Sequence, residues 1–436
     1  MGTSQTLYEE GKNYIPGGTQ LFSKRPEIFL PGYWPAYYKK AAGCKIWDID
    51  NNMYYDMITM GIGTCILGYA DKDVNNAVSK ALKNGSMSSL NAPEEVELAK
   101  LLTSLHPWAD MVRYARSGGE AMTIAIRIAR AKTNKSKIMF CGYHGWHDWY
   151  ISANLNENSA LDNHLLPGLN AKGVPRELIG TTIPFTYNDA EEFIKLFEKN
   201  KSDIGVVVLE AIRNMFPKKE FVQIIQDTCN KNNIVFIVDE ITSGWRLNCG
   251  GAHLLLNMEP DIAVFAKGMS NGIPMAAIVG KKQVMQAAQE SFISSTYWTE
   301  RMGPVAALAT ISKMQKLHVQ QHLSAVGKKI QEGWTALAKK HNIAISVSGI
   351  YPLSHFDFSY PNRLEMKTLF TQLMLEKGFL ASTVLYASYA HKHKHLDAYL
   401  AAVDDVFRII AISIQNGNTA SLLKGDVCHQ LFKRLN

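Results

Sequence analysis

The feature that most constrains the fold is a series of short apolar segments that alternate with amphipathic helical segments between residues 111 and 280. The strand candidates read MVRYAR, KIMFC, IGVVVLEA, NIVFIVDE, AVFAK and AAIVG, and two of the helix candidates read GGEAMTIAIRIARAKT and KEFVQIIQDTCNKN. Strands that are apolar along their whole length are typical of parallel sheets covered on both faces by helices. We therefore predict an α/β fold with a mostly parallel central sheet.

Different patterns flank this region. Residues 1–70 are rich in Gly, Pro and aromatic residues and include CKIWDIDNNMYYDM, which predicts a β-hairpin. Helical periodicity begins at residue 71, and further long helices are predicted over 303–316 and 319–341. We expect an N-terminal segment over 1–70, a large domain over 71–316 and a C-terminal domain over 317–436.

Composition narrows the classes of partner. The 436 residues carry a formal net charge of +7, with Lys and Arg scattered, so neither a nucleic-acid surface nor a charged membrane surface is predicted. No apolar stretch approaches the ~20 residues of a membrane-spanning helix. The chain start lacks an apolar signal-peptide core, and the six cysteines form no CxxC pair. These features predict a reduced, cytoplasmic protein.

Glycines and polar residues follow several of the predicted strands. Ligands of parallel α/β sheets bind at the carboxyl ends of the strands, so these residues are the candidates for a site. They are Ser117, Gly118, Gly119, Tyr143, His144, Gly145, Glu210, Asp239, Glu240 and Lys267. Residues 117–119 join a strand to a helix, where backbone N–H groups and the helix dipole favour an anion.

Lys267 stands inside the apolar run PDIAVFAKGMSNGIPMAAIVG. Its side chain could simply reach water, as most lysines do. Alternatively, desolvation could lower its pKa so that a neutral amine attacks a carbonyl. Asp239 ends IVFIVD, and a buried carboxylate there needs a partner. It could cap a helix N-terminus, pair with an arginine such as Arg246, or pair with a cationic nitrogen of a ligand.

The segment GYHGWHDW follows the KIMFC strand. His144, His147 and Asp148 would have metal-ligand spacing only on a helix, and Gly145 disfavours a helix there, so no metal site is predicted. An aromatic ring that stacks on a flat ligand is favoured instead.

An anion cup, a stacking ring, a buried carboxylate and a strand-end lysine together match the needs of pyridoxal 5'-phosphate. The cup would hold the phosphate, and the ring would cover the pyridine face. Asp239 would keep the pyridine nitrogen protonated, and Lys267 would form the Schiff base. Each motif is weak alone, but their order on one predicted sheet is specific.

Five segments then carry a resemblance to a known family. In order, IPGG, MVRYARSGGEAMTIAIRIARAKT, KIMFCGYHGWHD, IVDEITSGWR and DIAVFAKGMSNGIPMAAIVG resemble blocks of the class III, fold-type I aminotransferases, which include glutamate-1-semialdehyde 2,1-aminomutase. The resemblance covers nearly the whole chain. It implies a homodimer with active sites at the subunit interface, and a smaller domain formed by the N- and C-terminal segments.

The resemblance also implies roles for individual residues. Lys267 and Asp239 are implied as the catalytic pair. Glu210 matches the family's Glu-Pro pair, with Ala211 in place of the proline, and Thr296 matches a threonine that reaches the phosphate of the neighbouring subunit. The implied cofactor-binding set is Ser117, Gly118, Gly119, Tyr143, His144, Glu210, Asp239, Lys267 and Thr296.

The expected substrate segment departs from the aminomutases. They carry Asn-Ser-Pro-Val-Arg after IPGG, whereas residues 20–24 here read QLFSK, with Arg25 one place later. The tryptophan of the next family block corresponds to Ile62. Lys24, Arg25 and Arg213 are the candidates for holding a substrate carboxylate or phosphate.

These observations predict an aminotransferase. The segments TYWTERMGP and EAIRN resemble a subgroup of relatives that aminate sugars or other small carbonyls. The resemblance therefore implies transfer of an amino group from a small-molecule donor to an aldehyde, ketone or sugar-like carbonyl acceptor, with pyridoxamine 5'-phosphate as the intermediate form of the cofactor. One alternative is a glutamate-1-semialdehyde 2,1-aminomutase, which is an isomerase. Another is a non-catalytic binding protein that keeps the fold, which the presence of both Asp239 and Lys267 disfavours.

Overall fold

The computed structural model describes residues 2–430, which divide into two compact units. One unit comprises the described residues of Met1–Asp71 and Gln321–Asn436, and the other is Lys72–Gln320. Within residues 2–430, no helix combines the length and the apolar character that crossing a membrane requires.

The strands are β1 (Tyr38–Ala42), β2 (Lys45–Asp48), β3 (Met53–Asp56), β4 (Met111–Ala115), β5 (Lys137–Cys141), β6 (Thr182–Pro184), β7 (Ile204–Glu210), β8 (Val235–Asp239), β9 (Ile262–Phe265), β10 (Ala276–Gly280), β11 (Ile345–Ser348), β12 (Leu353–Phe358), β13 (Phe379–Leu380) and β14 (Val384–Tyr386). The α-helices are α1 (Thr3–Gly11), α2 (Lys72–Leu82), α3 (Pro93–Leu105), α4 (Gly118–Thr133), α5 (Asp148–Ile151), α6 (Ala190–Asn200), α7 (Lys219–Lys231), α8 (Lys282–Met285), α9 (Met302–Leu317), α10 (Val319–Lys340), α11 (Arg363–Glu376) and α12 (His393–Asn416).

The larger unit is built on a seven-stranded sheet in the order β4-β10-β9-β8-β7-β5-β6. The strands from β9 to β6 in this order pair in parallel, whereas β10 is antiparallel to both β9 and β4. Every residue of β7, β8 and β9 is buried, which explains why these strands are continuous apolar runs. The predicted α/β fold with a mostly parallel central sheet is confirmed.

Helix α4 packs against this sheet through a row of small and β-branched residues. Ala121, Ala125 and Ala129 are fully buried, and Ile124 and Ile128 lie in the same core cluster. The alanines allow the helix axis to approach the strands closely. The helix ends at Asn134, which adopts the left-handed conformation with φ 52°. The start of α4 is thereby fixed on the sheet beside the end of β4.

The other unit contains the predicted hairpin, formed by β2 and β3, within a four-stranded sheet β1-β2-β3-β13. A three-stranded sheet has the order β11-β12-β14. Strand β13 pairs in parallel with β3, so chain from both ends of the sequence meets in one sheet.

A strained loop follows β3. Met60 and Ile62 adopt φ angles of 45° and 58°, a region that is unfavourable for residues with a Cβ and most of all for a β-branched residue. The buried carboxylate of Asp56 accepts hydrogen bonds from the backbone N–H groups of Ile58 and Met60, at 3.0 and 3.3 Å, and from the Tyr69 hydroxyl, at 2.6 Å. These bonds hold the loop against its strain.

Candidate active site

Sequence-predicted residues line the carboxyl edge of the parallel strands. Glu210 and Asp239 are the last residues of β7 and β8 and are direct partners in the sheet. Lys267 follows the end of β9 by two residues, and Tyr143 follows the end of β5 by two residues. Because β9, β8, β7 and β5 are neighbours in this order, the four residues lie in the same order along one edge.

Asp239 is buried and engaged by a histidine. Its side chain is 3% exposed, and its Oδ2 lies 2.8 Å from Nδ1 of His144. Its Oδ1 accepts the backbone N–H of Ile241 at 2.9 Å. The other ring nitrogen of His144, Nε2, is buried and has no hydrogen-bond partner within the described part of the chain. His144 therefore lies against the carboxylate and orients it.

Arg246 is the alternative partner considered for Asp239. Its Nε donates to the backbone carbonyl of Thr242 at 2.6 Å, and the side chain is buried. Its positive charge acts on Lys267 and contributes to lowering the pKa of that amine. An imidazole thus contacts the carboxylate, and the charge of the guanidinium acts on the lysine.

Lys267 has an altered environment. Its Nζ donates a hydrogen bond to Oγ1 of Thr242 at 2.7 Å, and its backbone adopts φ 41°. Burial, followed by the charge of Arg246, lowers the pKa of the Lys267 amine from 10.5 to about 8. Such a shift raises the neutral, nucleophilic fraction at neutral pH. A left-handed conformation at a non-glycine residue is a strain of the kind that clusters at functional sites.

Glu210 and Tyr143 are linked. The backbone N–H of Tyr143 donates to Glu210 Oε2 at 3.1 Å, and the Tyr143 side chain remains 40% exposed, which leaves its ring accessible. Burial raises the pKa of Glu210, and the charge of Asp239 adds to this effect while Arg213 opposes it. Gly142 has φ 127°, and a Cβ there would lie 2.6 Å from Glu210, so glycine is required at this point.

The start of α4 is closely packed. The backbone N–H and the hydroxyl of Ser117 both donate to the Glu120 carboxylate, at 2.9 and 3.0 Å. A Cβ on Gly118 would lie 2.9 Å from Ile241, and a Cβ on Gly119 would lie 2.9 Å from His147. The two glycines therefore bring the N-terminus of this 16-residue helix against the turns that follow β8 and β5. Its first N–H groups and its dipole suit an anion.

The remaining predicted residues are placed as follows. Thr296 is exposed at the start of a 3-10 helix, Thr296–Thr299. Arg213 lies 3.5 Å from Glu210 and donates to the carbonyl of His164 at 3.2 Å. In the other unit, Lys24 is exposed, and the guanidinium of Arg25 lies 5.2 Å from the centre of the Phe22 ring.

Sequence reasoning missed a hydrogen-bonded series of side chains behind this edge. Glu240 Oε1 accepts hydrogen bonds from the backbone N–H and from Nδ1 of His253, at 2.6 and 2.9 Å. The indole N–H of Trp108 donates to His253 Nε2 at 3.0 Å. The ring of His106 stacks on that of His253, with 5.4 Å between centroids. The one available signal was Glu240 itself, a second carboxylate directly after the apolar strand.

The residues present fit pyridoxal 5'-phosphate. A helix N-terminus with closely packed glycines suits its phosphate, and the accessible ring of Tyr143 suits its flat face. The buried carboxylate of Asp239 suits a cationic ring nitrogen. Lys267, with its lowered pKa, suits its carbonyl.

Known proteins are similar to this chain along most of its length. The sequence model of the family Aminotransferase class-III matches residues 31–399. The chain is 30% identical over 419 residues to the 3-aminobutyryl-CoA aminotransferase of Cloacimonas acidaminovorans, an alignment that covers 94% of this chain and 96% of the relative. It is 30% identical over 431 residues to a glutamate-1-semialdehyde 2,1-aminomutase of Methanocaldococcus jannaschii, covering 93% and 98%.

The fold also has solved counterparts. The PLP internal aldimine form of the FumI protein of Sphingopyxis sp. MTA144 superimposes with a TM-score of 0.86 and 22% sequence identity. That match covers 95% of this chain and 98% of the FumI chain.

Proposed function

The chain belongs to the class-III aminotransferases, and we propose that it moves an amino group from a small-molecule donor to an aldehyde, ketone or sugar-like carbonyl acceptor. It is a transaminase that uses pyridoxal 5'-phosphate. The single observation that supports the proposed use of this site is the position of Lys267. Its amine has a lowered pKa and lies on the same sheet edge as the buried Asp239–His144 pair.

Each residue would have a distinct task. The bound cofactor supplies an electron sink for negative charge at the substrate carbon that bears the amino group. Lys267 would hold the cofactor between turnovers, and its free amine would take and return the proton at that carbon. Asp239, oriented by His144, would keep the pyridine nitrogen protonated. Residues 117–119 would bind the phosphate, and Tyr143 would cover the ring.

The proposal includes a homodimer. Three aromatic side chains near the start of α4 are exposed, namely Trp146 (71%), Phe292 (87%) and Tyr297 (71%). Trp146 stacks on His147 with 4.3 Å between ring centroids, and Phe292 and His147 line one cavity of about 240 Å³. Exposed aromatic clusters are typical of protein interfaces. Thr296, exposed beside Tyr297, would then serve the phosphate of the partner subunit.

The amino acceptor is proposed from the substrate segment. Leu21 stands in the block where the aminomutases have their Asn-Ser-Pro-Val-Arg sequence, and its side chain offers no hydrogen bond. Lys24, Arg25 and Arg213 remain the proposed contacts for a substrate anion. Because the matched relatives include both aminotransferases and aminomutases, the isomerase is the alternative to be tested.

We expect glutamate-1-semialdehyde alone to be a poor substrate. A site that lacks the polar partner of a substrate group discriminates on the order of 100-fold or more, since buried polar groups are left unpaired. The purified protein, loaded with cofactor, is incubated with glutamate-1-semialdehyde without a donor and, in parallel, with a panel of amino donors. Decay of the cofactor absorbance band should occur with at least one donor. Efficient formation of 5-aminolevulinate without a donor would identify the chain as an aminomutase.

A further inference from the structure

The hydroxyl of Thr242 is the hydrogen-bond partner of the Lys267 amine, at 2.7 Å. Thr242 belongs to the turn that follows β8, three residues after Asp239. The roles proposed above leave this hydroxyl unused. A single turn therefore carries both the buried carboxylate and the group that contacts the reactive nitrogen.

The turn is held tightly from within. The Ser243 hydroxyl donates to Glu240 Oε2 at 2.5 Å, and the backbone N–H of Gly244 donates to the Glu240 carbonyl at 2.8 Å. The carbonyl of Thr242 accepts from Arg246 Nε at 2.6 Å. A Cβ on Gly244 would lie 2.6 Å from the carbonyl oxygen of Glu240, so the turn closes only with glycine there. The backbone position of Thr242 is thus set by the turn's own bonds.

The turn is also held by hydrogen bonds to residues outside it. Because an indole N–H can only donate, the bond from Trp108 requires His253 Nε2 to accept and leaves the proton on Nδ1. His253 Nδ1–H then donates to Glu240 Oε1. Glu240 and His253 are completely buried. The chain Trp108–His253–Glu240 thereby anchors the turn in the core of the larger unit.

We propose that Thr242 is a positioning residue that holds the free amine of Lys267 and stabilises its protonated form. This inference rests on the proposed function, because the lysine is free only in the half of the cycle in which the amino group resides on the cofactor. In that state Lys267 Nζ is the proton carrier. The hydroxyl accepts a hydrogen bond from the ammonium and fixes its direction, since a lysine side chain otherwise has several rotamers of similar energy.

The groups around Lys267 predict in which direction its pKa changes when Thr242 is replaced. Burial and the charge of Arg246 disfavour the ammonium form of Lys267, whereas the charges of Glu210 and Asp239 favour it. An accepting hydroxyl favours the ammonium form as well. Thr242→Val keeps the side-chain shape but removes the acceptor, so the pKa of Lys267 should fall further, by about one unit. Thr242→Ser keeps the acceptor and should leave the pKa at the wild-type value.

The test titrates the lysine directly. The full-length protein is loaded with pyridoxamine 5'-phosphate, which leaves the lysine free, and is labelled briefly with acetic anhydride at a series of pH values. Mass spectrometry of the peptide that contains Lys267 then gives its labelled fraction, and the midpoint gives its pKa. The expected order is Thr242→Val lowest, with wild type and Thr242→Ser equal. In turnover, Thr242→Val should lower kcat about tenfold with little change in KM.

Two outcomes would overturn the inference. A Thr242→Val protein that titrates like wild type would show that the hydroxyl does not act on the amine. A Thr242→Ser protein that shifts like Thr242→Val would assign the effect to the methyl group. If Thr242→Val does not fold by thermal denaturation, Thr242→Ala is used with the same criteria. The labelling does not require turnover, so the pKa of Lys267 can be measured even in a protein without transaminase activity. Such a protein would refute the proposed function, and its failure would be distinguishable from failure of this inference.

Discussion

Lys267→Ala should lower transamination by at least ~1,000-fold while the chain stays folded. The variant lacks both the amine that would hold the cofactor and the base that would move the proton. The structural cost should be small, because the replaced amine is desolvated and, within residues 2–430, donates its hydrogen bond to Thr242. Turnover with the best amino donor and thermal denaturation are measured on wild type and variant.

Lys281→Ala is the matched control. Lys281 follows β10 at the opposite edge of the same sheet and forms an ion pair with Asp261 at 2.9 Å. The Lys281→Ala variant should retain wild-type turnover. Borohydride treatment of the wild-type protein should fix the cofactor covalently at Lys267. Cofactor found on another lysine, or full activity in Lys267→Ala, would remove Lys267 from the mechanism.

Asp239→Asn should lower kcat/KM by ~100- to 1,000-fold, equivalent to about 3 to 4 kcal/mol of transition-state stabilisation. The amide has nearly the same shape but carries no charge with which to hold a protonated pyridine nitrogen. It also weakens the 2.8 Å contact with His144. Steady-state kinetics and the amount of cofactor retained after gel filtration are the measurements, and we expect part of the cofactor to remain bound.

The control for this variant is Asp261→Asn. Asp261 lies before β9 at the other edge of the sheet, where it accepts the backbone N–H of Phe236 at 3.0 Å and pairs with Lys281. Its loss should reduce stability without a comparable loss of kcat/KM. Near-normal turnover in Asp239→Asn would mean that the carboxylate has a structural task only.

Much of the fold could be predicted because its signals are local. The limits of α4, β5 and β10 agree with the sequence prediction, since apolar periodicity and flanking glycines define them. Strand β6 has three residues at the sheet edge, too short for a periodic signal, and was not predicted. The antiparallel direction of β10 also could not be predicted, because an apolar run carries no information on direction.

In the candidate site, likewise, some features could be predicted from the sequence and others could not. Glu210, Asp239 and Lys267 could be found because strand ends are visible in the sequence. The pairing of His144 with Asp239 joins residues 95 positions apart, and no local pattern specifies it. The contact between Thr242 and Lys267 likewise depends on how two turns meet.

The stacked histidine pair behind the turn has a consequence for acid stability. Burial lowers the pKa of His106 from 6.5 to about 4, and its Nδ1 donates to the Leu102 carbonyl. Between these two values the unfolded chain binds a proton that the folded chain excludes, so acidification favours unfolding. His106 alone should cost about 1.4 kcal/mol of unfolding free energy per pH unit below ~6.5, until pH about 4. Urea unfolding at pH 7.5 and 5.5 measures this slope, and His106→Gln should flatten it. An unchanged slope in that variant would show that other groups take up the proton.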